Sequence, residues 1–459
     1  MDDPSSSPGV ESQDPVDVCV AGGAASRPES DTAGRSLASK SPGIDRDRSP
    51  GSYVIARIEL SEPIAALAVG EGVAGLALDL RWRGRPVGFV LHPLGLTSRA
   101  LAADALEAIA DREAAACVFE ARVRDALTLA TPPGRPQRLT VAVCTRDRTE
   151  NVSRWLEHVL AMRGAAGARG AEVEVLVVDN APSDERTAEL VRSQPGVRYA
   201  REPRPGLDFA RNRALREATG EWIAYVDDDA VIDTGWLDGF DEAWRENPDA
   251  GAITGLVLPF ELATEAQLLF ERRGGFRRGF DKRRFQGRRM PEHGWYPHGS
   301  GNFGAGCNMA FRRGLLLDIG GFDDALDTGP PLPGGGDLDI FYRVARSGEP
   351  FIYEPRLLVF HRHRRDYAGL RRQYWTWGTG FMAFLAKHFA REPAERWRWL
   401  LLVRWWFAHQ LRRFACSLVG RGDSPPDLVA AELLGGVVGL CGTYGRSQRR
   451  TARIRAHYP

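Results

Sequence analysis

Apolar and polar residues alternate in two different periods over the middle of the chain. Short apolar runs at 139–145, 173–178 and 222–226 are typical of buried strands. Three segments have the spacing of amphipathic helices: 151–162, a segment that starts at about Ser183, and 208–219. Alternating strands and helices predict an α/β fold with a mostly parallel sheet flanked by helices.

Polar residues stand where each of these predicted strands ends. Thr145 ends the first strand, Asp179 follows the second, and Asp227, Asp228 and Asp229 follow the third. Because parallel strands bring their carboxyl ends to one edge of a sheet, we expect these side chains to share a site.

The three consecutive carboxylates predict a cation. Adjacent carboxylates raise one another's pKa unless a metal or basic groups neutralise them. Their oxygens suit Mg²⁺ or Mn²⁺, and Mg²⁺ is commonly shared with substrate phosphates. The pattern therefore predicts a nucleotide-diphosphate site with a divalent metal cofactor, although an isolated acidic run usually just faces water.

The flanking segments differ from this α/β pattern. Residues 1–50 are rich in Ser, Pro, Asp, Gly and Arg and predict a disordered segment. Residues 51–130 predict a small α+β domain, to which the sequence assigns no role. Turn-forming residues at 131–136 mark a domain boundary, the α/β domain is expected at 137–365, and 366–459 has the pattern of a C-terminal helical region.

Composition argues against a nucleic-acid partner and favours a cytoplasmic location. A formal net charge of +1 argues against nucleic-acid binding by the whole chain. The six cysteines have no metal-type or disulfide-type spacing, and no secretory signal or apolar run of ~20 residues is evident, so we expect a cytoplasmic protein. Tryptophans and arginines at 396–413 fit either packing against the central domain or peripheral contact with the inner face of an anionic membrane.

Seven short motifs follow one another between residues 139 and 365. They are 143–147, 177–184, 206–212, 220–229, 304–310, 320–323 and 336–339. In this order the segment resembles an inverting family 2 glycosyltransferase with the GT-A fold, which implies that the mostly parallel sheet is mixed. The resemblance implies a nucleotide-diphosphate sugar donor, most often a UDP-sugar, and a glycan, lipid-linked or small-molecule acceptor such as a cell-envelope glycan.

The resemblance also implies roles for individual residues. Asp337 matches the catalytic base, which takes a proton from the acceptor hydroxyl. Asp229 matches a direct metal ligand, and His361 stands where many relatives place a histidine near the metal, with His363 as its competitor. The implied donor-binding residues are Thr145, Asp179, Arg211, Asn212, Asp227 and Asp228.

The sequence departs from the family pattern beside the base. Relatives often have Glu immediately before this aspartate, whereas this chain has Gly336. Asp339 is open to a purely structural interpretation at the start of a helix. The arginine-rich run at 272–289 is either a mobile loop near substrate phosphates or a solvated basic loop.

Two alternative functions stay open at this stage. A nucleotidyltransferase also combines an α/β sheet with an acidic metal site, but the segment after the first strand lacks the glycines expected of its nucleotide loop. A catalytically inactive glycan-binding or scaffold protein would be favoured if Asp337 proved dispensable.

Overall fold

The computed structural model describes residues 51–95, 100–127, 138–167, 172–286 and 295–458. The predicted disordered segment 1–50 and the predicted linker 131–136 lie outside these residues.

The amino-terminal part of the described chain is a small α+β unit, as predicted. Its elements are β1 (Tyr53–Glu59), β2 (Leu67–Ala68), β3 (Gly75–Trp82), β4 (Arg85–Pro93), β5 (Ala100–Leu101) and α1 (Ala103–Leu127). Strand β3 lies between β1, which is parallel to it, and β4, which is antiparallel. The buried side chains of Leu106 and Ile109 on α1 pack against this sheet.

The central part is built on a nine-stranded sheet among the described residues. Its strands are β6 (Leu139–Thr145), β7 (Val173–Asn180), β8 (Val197–Glu202), β9 (Trp222–Val226), β10 (Ala230–Ile232), β11 (Ala252–Pro259), β12 (Arg283–Phe285), β13 (Asn308–Arg312) and β14 (Phe351–His361). The order is β10-β14-β11-β13-β9-β6-β7-β8, with β12 paired to β14. Strands β9, β6, β7 and β8 are parallel, and β13 is antiparallel to both of its neighbours. The predicted mixed sheet is confirmed.

Helices cover both faces of the sheet. They are α2 (Thr149–Gly167), α3 (Arg186–Arg192), α4 (Leu207–Glu217), α5 (Trp236–Glu246), α6 (Glu265–Arg272), α7 (Arg313–Asp318) and α8 (Gly336–Ser347). Helix α3 begins at Arg186, three residues after the start predicted at about Ser183. Ser183 instead donates hydrogen bonds from its backbone N–H and its hydroxyl to Oδ1 of Asp147, over 2.8 and 2.9 Å.

Alternate residues of the strands supply two separate cores. Trp222 and Ala224 of β9 face α2 and α5, whereas Ile223 and Tyr225 face α4 and α8. This two-residue period is that of a sheet with both faces covered, which explains why the strand reads as a continuous apolar run.

The carboxyl-terminal part is helical, as predicted. It contains α9 (Tyr367–Arg391), α10 (Arg396–Leu418), α11 (Pro426–Val438) and α12 (Tyr444–His457). Glycines bring α9 and α11 together: a Cβ at Gly378 would lie 2.0 Å from the carbonyl oxygen of Glu432.

One helical segment departs from the expectation that the chain has no membrane span. Within the described ranges, Pro426–His457 is long and apolar enough to cross a membrane by length and composition alone. The backbone is not helical at Cys441 and Gly442, where Gly442 has φ +71°, and this separates α11 from α12. Core helices of soluble proteins pass the same test, so the segment is weak evidence for a span.

Candidate active site

The polar strand ends meet at one edge of the sheet. Thr145 and Asp179 are partners in the register of β6 and β7. The Thr145 hydroxyl donates a 2.7 Å hydrogen bond to Oδ2 of Asp228, beyond the end of β9. The sheet topology thus brings together the three strand ends that the sequence places tens of residues apart.

Arg148 pairs with the acidic triplet. Its Nη1 lies 2.9 Å from Oδ1 of Asp228 and 3.8 Å from Oδ2 of Asp229. Burial raises the pKa of Asp228, and Arg148 opposes that rise. Arg148 is not among the site residues predicted from the sequence. Its position in the loop after β6, at the same sheet edge as the carboxylates, is the feature from which it could have been predicted.

Asp227 is the triplet carboxylate least able to ionise. Burial raises its pKa to about 7, and Arg211 opposes this while the neighbouring Asp229 adds to it. Burial is the main cause of the rise, and the expected repulsion between adjacent carboxylates makes a smaller contribution.

His361 faces Asp229 because of strand register. Ala230 of β10 lies opposite His361 of β14, and this brings Nε2 of His361 to 3.2 Å from Oδ1 of Asp229. Burial would raise the pKa of Asp229, but His361 beside it holds the pKa well below its usual range. Burial likewise opposes protonation of His361, while Asp229 raises its pKa.

Asp179 has an unsatisfied acceptor. The side chain is fully buried, and its Oδ2 accepts a 3.1 Å hydrogen bond from the Tyr199 hydroxyl. Its Oδ1 has no hydrogen-bond partner, and burial raises the pKa to about 6. A buried acceptor without a partner is costly, so this oxygen suits a ligand that brings a donor such as a ribose hydroxyl.

Asp337 is the second residue of α8 and is half-buried. Gly306 packs directly against it, because a Cβ at position 306 would lie 2.9 Å from Cβ of Asp337 and 3.4 Å from Nη2 of Arg211. The adjacent Cys307 carbonyl accepts a 3.4 Å hydrogen bond from the N–H of Asp227. The backbone at 306–307 therefore joins the acidic triplet to Asp337.

Arg211 is buried behind this backbone. Its Nη1 lies 2.9 Å from Oδ1 of Asp208 and 3.3 Å from Oδ2 of Asp327. Burial lowers the pKa of Arg211, but the surrounding carboxylates, Asp208 first, outweigh this and raise it. The guanidinium is a fixed positive charge close to both Asp227 and Asp337.

The same carboxylates explain Gly336. A Cβ at this position would lie 2.2 Å from Oδ2 of Asp208 and 2.6 Å from Oδ2 of Asp327. The N–H of Gly336 also donates a 3.1 Å hydrogen bond to Asp327. Two acidic groups from other parts of the chain thus fill the space that a glutamate at 336 would enter.

The structure does not bring Asn212 to the carboxylates. Its amide donates to the Phe322 carbonyl and to Oδ1 of Asp324, over 2.9 and 2.6 Å, and accepts a hydrogen bond from the N–H of Phe322. These bonds hold the turn at 320–324, so a donor-side role for Asn212 stays a prediction.

Asp339 has structural partners. It is fully buried and contacts Arg343 and His388, each at 2.8 Å, as well as Lys387. This agrees with the structural interpretation of Asp339.

Several members of the arginine-rich run form ion pairs. Arg273 pairs with Glu432 at 2.9 Å, Lys282 with Glu242 at 2.6 Å, and Arg284 with Asp249 at 2.7 Å. Residues 287–294 lie outside the described residues. These three members therefore hold neighbouring elements together, whereas Arg278 donates hydrogen bonds to the Gly301 and Phe276 carbonyls. A role of the run near substrate phosphates stays a prediction.

The residues present fit a divalent metal that is shared with a ligand. In the described parts of the chain, no group of three or more His, Cys, Asp or Glu is arranged to hold a metal by itself. Asp229 supplies an oxygen and His361 a nitrogen at 3.2 Å from each other. A metal bound through one or two protein groups and completed by substrate phosphates needs no more than this.

Comparison with known proteins identifies the central segment. Residues 140–320 match the profile of the family described as Glycosyl transferase family 2. Glucosyl-dolichyl phosphate glucuronosyltransferase of Haloferax volcanii is 27% identical over 235 residues, which are 49% of this chain and 69% of that protein. Pre-mycofactocin glycosyltransferase of Mycobacterium tuberculosis is 24% identical over 237 residues, 51% of this chain and 45% of that protein.

A solved structure matches over a longer stretch. Mannosyltransferase PcManGT from Pyrobaculum calidifontis, in complex with GDP-Man and Mn²⁺, aligns with 73% of this chain and 82% of its own, at 19% identity and a TM-score of 0.37. The matched family segment contains β6, β9, β13 and the acidic triplet, whereas Asp337 and His361 follow it. The α/β sheet agrees with the predicted GT-A fold class, and the matched segment, residues 140–320, is that of a family 2 glycosyltransferase.

Proposed function

We propose that the protein transfers a sugar from a nucleotide-diphosphate donor to an acceptor hydroxyl with inversion of configuration. The observation that carries this proposal is the backbone at 306–307. It contacts Asp337 on one side and accepts a hydrogen bond from Asp227 on the other. A base and a donor site that share one short segment are close enough to act on the same substrate pair.

The donor is proposed to lie along the strand ends. Thr145 and the unpartnered oxygen of Asp179 would hydrogen-bond the base and the ribose. Asp229 and His361 would hold the metal, with Asp227 and Asp228 beside it. The bound metal supplies charge that stabilises the departing diphosphate.

Asp337 is proposed to act on the acceptor. Its carboxylate takes the proton of the acceptor hydroxyl while that oxygen attacks the anomeric carbon. The diphosphate leaves from the opposite face with the bonding electron pair, so a single displacement inverts the configuration. Arg211 provides a fixed positive charge beside the carboxylate.

A UDP-sugar is the proposed donor, from its frequency in the family, and a lipid-linked glycan is the proposed acceptor. The Haloferax relative is named for action on glucosyl-dolichyl phosphate, a lipid-linked sugar. A lipid-linked acceptor would require this protein to work at a membrane surface.

Thermal shift with UDP-, GDP- and dTDP-sugars, each with and without Mn²⁺, tests the donor site. A ligand at about 100 times its Kd adds about 2.7 kcal/mol to the free energy of unfolding. We expect a rise in melting temperature that needs both Mn²⁺ and one nucleotide. No rise with any donor would favour the inactive glycan-binding alternative, and a rise with a free nucleoside triphosphate alone would favour a nucleotidyltransferase.

Helix α10 offers a surface for peripheral membrane contact. Its buried face contains Trp399, Leu402 and Trp406. Its exposed face contains Trp397, Leu400, Leu401, Arg404, Trp405, Leu411, Arg412 and Leu418. The helix has five arginines and no acidic residue. Exposed tryptophan and leucine beside arginine suit the interface of an anionic bilayer, so we place the protein at the inner face of a membrane.

Vesicle sedimentation tests this surface. The full chain should sediment with phosphatidylglycerol vesicles, bind less as salt rises, and bind weakly to phosphatidylcholine. The double variant Leu400→Glu/Leu401→Glu should lose most of this binding. Phe119→Glu changes another exposed apolar residue, 68% exposed on α1, and should bind normally. Equal binding by the α10 variant would contradict the proposed contact.

A further inference from the structure

A buried chain of hydrogen-bonding groups leads away from the proposed metal site. Nδ1 of His361 lies 3.2 Å from Nδ1 of His363, and Nε2 of His363 lies 2.8 Å from Oε1 of Glu271. Glu271 and His363 are both buried, with 1% and 5% of their surfaces exposed. The groups come from α6 and from the end of β14, which are about 90 residues apart in sequence.

Aromatic rings cover this chain. Phe270 contacts the ring of His363 edge-on at 4.6 Å, and Phe276 contacts the ring of His361 at 5.1 Å. Trp377 packs against both phenylalanines. The turn that returns Phe276 over the histidines uses Gly274 and Gly275, with φ +105° and +59°. With water excluded by these rings, the histidine nitrogens depend on one another for partners.

The carboxylate of Glu271 determines which group donates and which accepts in each of these hydrogen bonds. Its other oxygen lies 3.4 Å from Arg277, so the carboxylate faces a cation and acts as an acceptor. Nε2 of His363 must then carry the hydrogen, which leaves Nδ1 of a neutral His363 as an acceptor. Nδ1 of His361 must therefore be the donor, because one of two nitrogens at 3.2 Å has to supply the hydrogen.

We infer that Glu271 and His363 are positioning residues that fix His361 with its Nε2 directed at the cation beside Asp229. With the hydrogen on Nδ1, the neutral imidazole of His361 presents the Nε2 lone pair 3.2 Å from Oδ1 of Asp229. Both nitrogens of His363 are committed, so His363 is not a ligand itself. The inference rests on the proposed function, since it assumes a divalent metal at Asp229 and His361.

Such outer partners orient metal-binding histidines, and their loss typically weakens metal affinity 10- to 100-fold. His363→Phe keeps an aromatic ring among Phe270 and Phe276 but removes both hydrogen bonds. Glu271→Leu removes the terminal acceptor, whereas Glu271→Gln keeps an acceptor oxygen.

The experiment measures the Kd for Mn²⁺ in the presence of UDP, by electron paramagnetic resonance of the full chain. His363→Phe and Glu271→Leu are expected to raise the Kd 10- to 100-fold, and Glu271→Gln by a smaller factor. The matched control is His298→Phe, which changes a buried histidine packed against Trp399 and should leave the Kd unchanged. With ¹⁵N-histidine labelling, electron spin echo modulation should show nitrogen coupling to Mn²⁺ in the wild type, weaken it in His363→Phe and retain it in the control.

The variants separate two kinds of failure. If His361→Phe raises the Kd and abolishes the coupling while His363→Phe and Glu271→Leu behave as wild type, the positioning role is wrong and the metal site stands. If His361→Phe also binds Mn²⁺ as the wild type does, His361 is not a ligand and the inference falls with that part of the proposed function. Glu271→Gln guards against misfolding, because it alters one atom of a side chain that keeps its shape.

Discussion

Asp337→Asn should reduce sugar transfer by about 10²- to 10⁴-fold, the range that general acid–base catalysis contributes. The amide has the shape of the carboxylate but cannot take up the acceptor proton. Because Asp337 is linked to the strand-end carboxylates through the backbone at 306–307, the substitution leaves their side chains in place and donor affinity should stay near the wild-type value. Turnover is measured as nucleotide release with the donor found by thermal shift and a lipid-linked glucosyl phosphate.

Asp318→Asn is the matched control for this experiment. Asp318 is exposed at the end of α7, and the same exchange there should leave transfer unchanged. Wild-type turnover by Asp337→Asn would place the base elsewhere. Loss of donor affinity together with turnover would mean that Asp337 shapes the donor site instead.

Asp229→Ala should abolish the metal-dependent part of donor binding. We expect the donor Kd measured with Mn²⁺ to rise to the value measured without it, because the variant loses the oxygen ligand beside His361. The measurement is calorimetric titration of the donor with and without Mn²⁺.

The stability of the metal-free Asp229→Ala variant distinguishes a loss of metal-dependent binding from misfolding. Removal of Asp229 relieves repulsion on Asp227 but also takes away the partner of buried His361, so the free energy of unfolding of the metal-free variant is measured alongside donor binding. Asp249→Ala, at an exposed carboxylate paired with Arg284, is a control that should keep metal-dependent binding. Metal-dependent binding by Asp229→Ala equal to that of the wild type would remove Asp229 from the metal site.

The sequence could predict the strand-end part of the site because a general topological rule governs it. Thr145, Asp179 and the acidic triplet each follow an apolar run, and parallel strands align such ends. It could not predict the partners of these groups. Tyr199 reaches Asp179 from the neighbouring strand, and Arg148 turns back from a loop, so both contacts depend on side-chain direction.

The register of β10 and β14 determines which of His361 and His363 faces the acidic triplet, a choice that the sequence motif left open. The two histidines are two residues apart, and either could have faced the carboxylates. Pairing of Ala230 with His361 selects the first. This pairing could not be predicted from the sequence, because β10 is a three-residue strand that the apolar pattern did not indicate.

Charge runs were the least informative feature of the sequence. The run at 272–289 suggested contact with phosphates, and that stays a prediction, but three of its members, Arg273, Lys282 and Arg284, pair with acidic residues on α5, α11 and the loop after α5. Whether an arginine is available to a ligand depends on carboxylates that lie far away in sequence. In the same way, Gly336 departs from the family pattern because Asp208 and Asp327 already occupy the space beside it.

The contacts of Asp339 determine how far this enzyme can be truncated from its carboxyl-terminal end. A fragment ending at residue 365 would keep every family motif but lose Lys387 and His388, two of the three basic partners of a fully buried carboxylate. Leaving a buried charge without its partners typically costs about 3–5 kcal/mol, a large share of the stability of a domain. The smallest piece that folds therefore extends into α9, and the limits of the family motifs underestimate the length of chain that an expression plasmid must encode.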